Sequence, residues 1–340
     1  MKWMKSVSIF LFFYFVISPV SAKSPFSSHI DSLISLGIQA TFLHEYDQAE
    51  SLFAKIEKIN PDHPAGPFYR AATAQSKMMD YETSLLADTF EARIQRAIRL
   101  GEHALQKNPN DPWLYFYLGN AYSYKGLYLG KTGRLVAGFL HAHKGVNYLE
   151  KAVEIDPSLY DAYLGIGGYK YWAGRFYRYL NWLPWIQDER ELGIQMIRTA
   201  IEKGQFSKWV GINTLGWIEY DRKQYATAME LFSKGLSQFP GSRFFLWGVA
   251  DCAFGMKNYP LAIQLYSELL ESILKANQKN GYNEAECRLK RMQAYEAIGN
   301  KTAAQKEAEI LLDLKPEKEV LDRIERHRRL AMECLKKTGK

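Results

Sequence analysis

A spacing that recurs every 34 residues limits what this chain can fold into more than any other feature of it. In segment 209–242, Leu215-Gly216 is followed by Tyr225, Ala228, Phe232, Gly235 and Pro240. Segment 243–276 holds Val249-Ala250, Tyr259, Ala262, Tyr266 and Leu269 in the same frame. Segment 30–63 supplies Leu36-Gly37, Tyr46, Ala49, Phe53, Ile56 and Pro61, and segment 285–318 supplies Ala294-Tyr295, Gly299, Ala304, Ala308, Leu311 and Pro316. Small residues at the eighth and twentieth places let two antiparallel helices approach closely. Large apolar residues fill the seam between them, and the final Pro ends the second helix. A period of this length means stacked hairpins that share one continuous core.

LGNAYSYKG at 118–126 and YLEKAVEIDP at 148–157 carry the same frame in fuller form. On these residues the chain resembles the tetratricopeptide repeat (TPR) family from residue 30 to about 318. The resemblance implies an all-α helical-hairpin solenoid of about seven repeats, near 30–63, 65–111, 112–157, 158–207, 209–242, 243–276 and 285–318. Residues 319–340 have apolar positions at Leu321, Ile324, Leu330 and Leu335, which suits a helix capping the last repeat.

Three repeats depart from the frame. The eighth and twentieth places lie 12 apart in the regular repeats, but Ala72 to Ala97 is 25, Gly119 to Gly145 is 26 and Gly165 to Gly193 is 28. An insertion of about 14 residues is close to four helical turns, so two added turns on each helix keep both seams in register. The insertions, roughly 77–92, 124–141 and 170–190, should form a lateral helical block along one edge of the solenoid.

Aromatic residues gather in the same place. They are 14% of the chain, yet residues 113–185 hold 19 of the 48. Residues 113–149 contain no Asp or Glu, and neither do 162–187. Lys131, Arg134, Trp172, Arg175, Arg178, Trp182 and Trp185 make this a basic aromatic block. Three readings fit it: a site for an anionic ligand that stacks on rings and pairs with Arg, contact with a membrane surface, or rings that simply pack the long hairpins together.

In proteins of the family, partners lie along the inner surface made by the first helix of each repeat. Carried over by position, this surface would include Tyr69, Thr73 and Lys77, then Phe116, Asn120 and Tyr124. Ile166, Tyr169 and Lys170 follow, then Asn213, Trp217 and Tyr220, then Trp247 and Asp251. Rings and amides suit an extended peptide. The family's carboxylate clamp would need Lys where Phe116 stands beside Asn120, which disfavours a cytosolic chaperone cofactor.

Residues 1–22 read as an export signal: Lys2 and Lys5, an apolar run from Ile9 to Ile17, Pro19, and small residues ending at Ala22. The apolar run is short against about 30 Å of hydrocarbon. A cleaved, periplasmic or secreted protein is the expectation. The net charge of +7 is too mild to suggest nucleic acid. Cys252, Cys287 and Cys334 have no metal-binding or thioredoxin-like spacing. His44-Glu45 stands outside any HExxH motif, and His141 and His143 point apart on a helix. No enzyme, metal or cofactor is expected. The reading is an exported scaffold or adaptor in the bacterial envelope that binds a protein or peptide. The alternative is a carrier for an anionic or aromatic small molecule or lipid.

Overall fold

The computed structural model describes residues 23–175, 187–276 and 281–337. Among these there are fifteen α-helices and no strand. Seven antiparallel pairs run in order: α1 (Ser28–Phe42) with α2 (Tyr46–Ile59), α3 (Ala65–Tyr81) with α4 (Ala87–Lys107), and α5 (Pro112–Lys131) with α6 (Leu135–Ile155). Next come α7 (Tyr160–Arg175) with α8 (Arg190–Lys203), α9 (Lys208–Asp221) with α10 (Tyr225–Gln238), and α11 (Arg243–Gly255) with α12 (Tyr259–Lys275). The last pair is α13 (Tyr282–Ala297) with α14 (Lys301–Asp313), and α15 (Glu325–Lys337) covers it. Ala331 and Cys334 of α15 are buried against Leu289, Met292 and Leu311, closing the final apolar face.

Local chemistry sets the ends. Asp111 caps α5 by accepting from the backbone of Trp113 (2.9 Å) and Leu114, with Pro112 in the first turn. Asn300 caps α14 in the same way through the amide of Ala303. Most hairpin turns pass through one left-handed residue: His44, Glu82, Gly133, Lys223, Lys257 or Gly299. Four of these carry a side chain, a conformation that costs about 1–2 kcal/mol. The tight reversal is therefore held by the packing of the two helices.

Repeats 2 to 4 are elongated. In repeat 3 both helices are longer, 20 and 21 residues against 14 and 14 in repeat 5. Repeat 2 adds less to its first helix, 17 residues, than to its second, 21. In repeat 4, α7 has 16 residues and α8 has 14, so the expected two turns per helix are not found there among the described residues. Residues 176–186, which hold Arg178, Trp182 and Trp185, lie outside the described residues.

The small seam residues also shift. Gly167, not Gly165, meets the backbone of Gly193, at 2.5 Å from an added Cβ to the Gly193 carbonyl. Ala71 is fully buried while Ala72 is only half-buried. Ala71–Ala97, Gly119–Gly145 and Gly167–Gly193 are each 26 apart, so the three insertions are equal in length.

The solenoid turns back on its own start. Trp113 Nε1 donates to the carbonyl of Lys23 (2.9 Å), and the Phe26 ring packs on His63 and Tyr117. Gln205 bonds both the Ser24 amide and the Asp31 carboxylate. At the other end of α1, Phe42 stacks on Phe239 and Phe245, each with centroids 5.1 Å away. The segment before α1 thus meets the start of α5, and α1 itself reaches the α8–α9 link through Asp31 and the α10–α11 link through Phe42.

Candidate partner-binding surface

Closure of the coil divides the expected inner surface in two. Tyr69 and Phe116 are each 7% exposed, and Thr73 and Ile166 are buried as well. Tyr69 stacks on Phe53 (4.9 Å), and Phe116 packs on Trp113 and Tyr117 in the cluster that also contains Ile30, Leu33 and Ile34 of α1. These four are core residues, because repeat 1 lies over this end and because the frames of repeats 2 and 4 are offset from the expected ones. Asn120 is half-buried and turned to its own helix, donating to the Phe116 carbonyl. The carbonyl of Tyr124 receives Gln75 Nε2, and its ring meets Phe68 edge-on. Lys77 pairs with Asp47 at 3.7 Å and lines an open depression with His44, Tyr46 and Tyr81.

Repeats 5 to 7 keep their rings half-buried. Trp217 sits edge-on to Tyr220 (5.7 Å) and Phe232 (5.0 Å), and Tyr220 lies 5.3 Å from Tyr225. Trp247 meets Tyr266 at 6.3 Å, and Asn213 donates to the carbonyl of Phe244, tying α9 to α11. Asp251 accepts from the Tyr266 hydroxyl and lies 3.9 Å from Lys290 of α13. Burial pushes the Asp251 carboxyl up, with Glu286 adding to the rise against Lys290 and Tyr266. Lys290 also stands 5.1 Å above the Phe254 ring. Consecutive first helices α9, α11 and α13 so present Trp217, Tyr220, Trp247 and Lys290 on adjoining positions.

The basic block is less basic in space than in sequence. Lys125 pairs with Glu91 (2.9 Å) and Lys131 with Glu82 (2.9 Å), both carboxylates coming from repeat 2. Lys144 donates to the Tyr122 hydroxyl and lies 3.7 Å from Glu102. Lys170 is held by Glu189 and Glu150, and Arg175 by Asp221. Rings pack on one another, Tyr122 stacked on Tyr148 and Phe90 tilted against Tyr128, while Tyr117 and Tyr171 are almost completely buried. Tyr169 packs on Phe139 and shares a hydrogen bond with His143 Nδ1 (2.9 Å), and Trp172 is 40% exposed. Arg134 is exposed, and its charge reaches Glu91 of repeat 2, whose carboxyl Gln95, Lys125 and Arg134 together hold down against burial.

One polar cluster carried no sequence signal. The Arg243 guanidinium is fully engaged on Asp80, with Nε to Oδ1 at 2.7 Å, and Nη1 reaches Ser272. The Tyr46 hydroxyl donates to Asp80 (2.9 Å), and Asn283 donates to the Asp80 carbonyl. His44 Nε2 accepts from the Arg243 amide (2.8 Å), so its Nδ1 carries the proton and faces Tyr46 and Asp80. Burial works against the Asp80 charge, but Arg243 and His44 outweigh it and hold the carboxyl down at about 2. The cluster joins repeats 1 and 2 to repeats 6 and 7. The three thiols are all buried, and burial pushes Cys252 up to about 12 and Cys334 to about 11. No group of three or more potential metal ligands occurs among the described residues.

A family model, the tetratricopeptide repeat, matches residues 100–135, from the end of α4 through the Asn108–Pro112 connection and all of α5. Residues 100–135 thus match a tetratricopeptide repeat, within a solenoid of stacked helical hairpins. Among solved structures, the chain resembles the Cut9–Hcn1 hetero-tetramer of the APC/C at 15% identity and a TM-score of 0.49, covering 78% of this chain and 43% of that one. It resembles YrrB, described as a TPR protein with an unusual peptide-binding site, at 16% identity, a TM-score of 0.45, and 69% and 97% coverage. A third is PilW, a type IV pilus biogenesis factor, at 14% identity, a TM-score of 0.44, and 71% and 91% coverage. The chain spans less than half the length of the first of these. No curated protein matches the sequence.

Proposed function

We propose that this TPR solenoid is an exported, non-catalytic adaptor that holds a protein or peptide partner on the inner face of repeats 5 to 7. The observation that carries the reading is the half-buried set Trp217, Tyr220 and Trp247 with Lys290, on three consecutive first helices. Half-buried rings beside a cation give area and orientation at low entropic cost, which is what a small capture surface needs. The corresponding residues of repeats 2 and 3 are already spent on packing the chain's own first helix.

The Trp217→Ala/Trp247→Ala variant should lose partner capture from an envelope extract by at least about tenfold, as for two interface rings, while its circular dichroism stays helical. Undiminished capture with intact helicity would remove this surface from the account. Export is tested separately: the protein recovered from the envelope or medium should begin at Lys23, and a retained N-terminus would refute cleavage near Ala22.

A further inference from the structure

Two carboxylates share one lysine at the end of the inner face of repeats 5 to 7. Lys290 Nζ lies 3.9 Å from Asp251 and 3.9 Å from Glu286, too far in either case for a hydrogen bond. Glu286 has a second partner, because its Oε2 accepts from His327 Nε2 at 2.6 Å. Burial works against the Glu286 charge, but His327, Lys290 and Arg326 outweigh it and hold the carboxyl down. Asp251 has less support. The Tyr266 hydroxyl donates to Oδ1, the same oxygen that faces Lys290. Oδ2 accepts no hydrogen bond among the described residues and is not closed off from solvent. Burial and Glu286 accordingly push this carboxyl up in spite of Lys290. Rings border it. Trp247 and Phe254 stand one turn before and after Asp251 on α11, and both are half-buried. Burial pushes the Tyr220 hydroxyl of α9 up to about 12, and Asp251 and Glu286 add to the rise, so Tyr220 opens on the same carboxylates.

We infer that the peptide segment held on this face carries a basic side chain, Arg or Lys, that pairs with Asp251 Oδ2 among these rings. The inference rests on the adaptor reading, which puts the partner on the inner face of repeats 5 to 7. Charge selects the occupant. An acidic segment drawn to Lys290 would meet two carboxylates already placed 3.9 Å from the same ammonium. A wholly apolar segment would cover Oδ2 and leave a carboxylate buried short of partners, which is costly. A guanidinium or ammonium supplies the missing charge-assisted hydrogen bond. The faces of Trp247 and Tyr220 then attract the same cation. Lys290 keeps its place over Phe254, 5.1 Å from the ring, and Glu286 keeps His327.

The test selects a phage-displayed library of random dodecapeptides against the full chain. Bound peptides should carry Arg or Lys beside apolar residues. In a synthetic copy of a selected peptide, replacing that Arg by citrulline, or that Lys by acetyl-lysine, should raise Kd at least about tenfold, the effect of one charge-assisted hydrogen bond. On the Asp251→Asn chain the same replacement should change Kd by less than about twofold, because the two groups act on each other. Urea unfolding at neutral pH should show Asp251→Asn to be at least as stable as the wild type, since the free chain holds that charge against burial. A clear loss of stability would make Asp251 a packing residue and overturn the inference. So would selected peptides that need Trp217 and Trp247 but prefer acidic or uncharged residues, or whose cation is indifferent to Asp251→Asn. Those outcomes leave the adaptor reading standing. Failure to select any peptide that needs Trp217 and Trp247 removes both.

Discussion

Repeats 3 and 5 close the same kind of seam with opposite materials. In repeat 5, Gly216 faces the ring of Phe232, which is fully buried and also fills the space in front of Gly248 of repeat 6. One ring wedges two hairpins together. In repeat 3, glycine faces glycine: Gly119 meets the carbonyl of Gly145, and Gly126 that of Gly138. A ring seam allows the hairpin to splay around its wedge, whereas a backbone seam brings the two helices into contact over their whole length. The long repeats are built on small residues, and this makes a thin, stiff strut of 20 and 21 residues. The strut can carry side chains far from the axis of the coil.

The sharpest way to break the contrast is to exchange the materials. Phe232→Ala should cost about 3–5 kcal/mol, as for other buried rings, and should also loosen Trp217, which rests 5.0 Å from it. Gly126→Phe should cost at least as much, because backbone on the opposite helix cannot yield to a ring. Gly126→Ala should cost about 1–3 kcal/mol. Urea unfolding followed by circular dichroism reads all three. If Gly126→Ala were neutral, the backbone seam would not be what holds repeat 3 together.

The length of repeat 2 brings Asp80 across to Arg243, and this contact comes next in size. Asp80→Ala leaves a guanidinium that is 7% exposed without its charge partner. The loss should be about 3 kcal/mol, the lower end for a broken buried pair, since Ser272 still accepts from Arg243. Asp80 also sets a pH window. Its folded carboxyl is held at about 2, below its ordinary value of 3.8. Its stabilisation is therefore fully present above about pH 4 and is lost as pH falls through 2. The amount is about 2 kcal/mol. Asp80→Asn should flatten the stability profile between pH 4 and 2, and an unchanged slope would assign the acid sensitivity elsewhere.

The seams were legible in the sequence because they are periodic. Gly37, Gly119 and Gly216 each stand where the 34-residue frame expects a small residue, and each is buried at a seam. Spacing could not choose between Ala71 and Ala72, or between Gly165 and Gly167, since both members of each pair are small. The error passed on to Tyr69, Thr73 and Ile166, which the shifted frame places in the core. The basic block misled for a different reason. A local window sees Lys125 and Lys131 without acids, but Glu91 and Glu82 arrive from the preceding repeat. The His44, Asp80 and Arg243 cluster joins residues 163 to 199 positions apart with no shared period. Only the curvature of the coil, summed over six repeats, brings them together.

The same hairpin makes a second, exposed contact only two residues beyond Asp80, and this should give the smallest effect. Glu82 receives Arg323 from the segment before α15, and Ser84 donates to Glu319 (2.8 Å). Arg323 also stands 3.9 Å over the ring of Tyr282. Solvent reaches Arg323, so Arg323→Ala should cost no more than about 1 kcal/mol. Its interest is in coupling. Repeats that touch only their sequence neighbours lose stability additively when distant sites are changed. In a coil closed by repeat 2, opening the Asp80 contact should let the tip swing away from Glu319 and Arg323. The Asp80→Ala/Arg323→Ala double variant should then be more stable than the sum of the two single losses requires. Strict additivity in urea unfolding would mean that the two contacts hold separately, and that the length of repeat 2 does not act as a single strut.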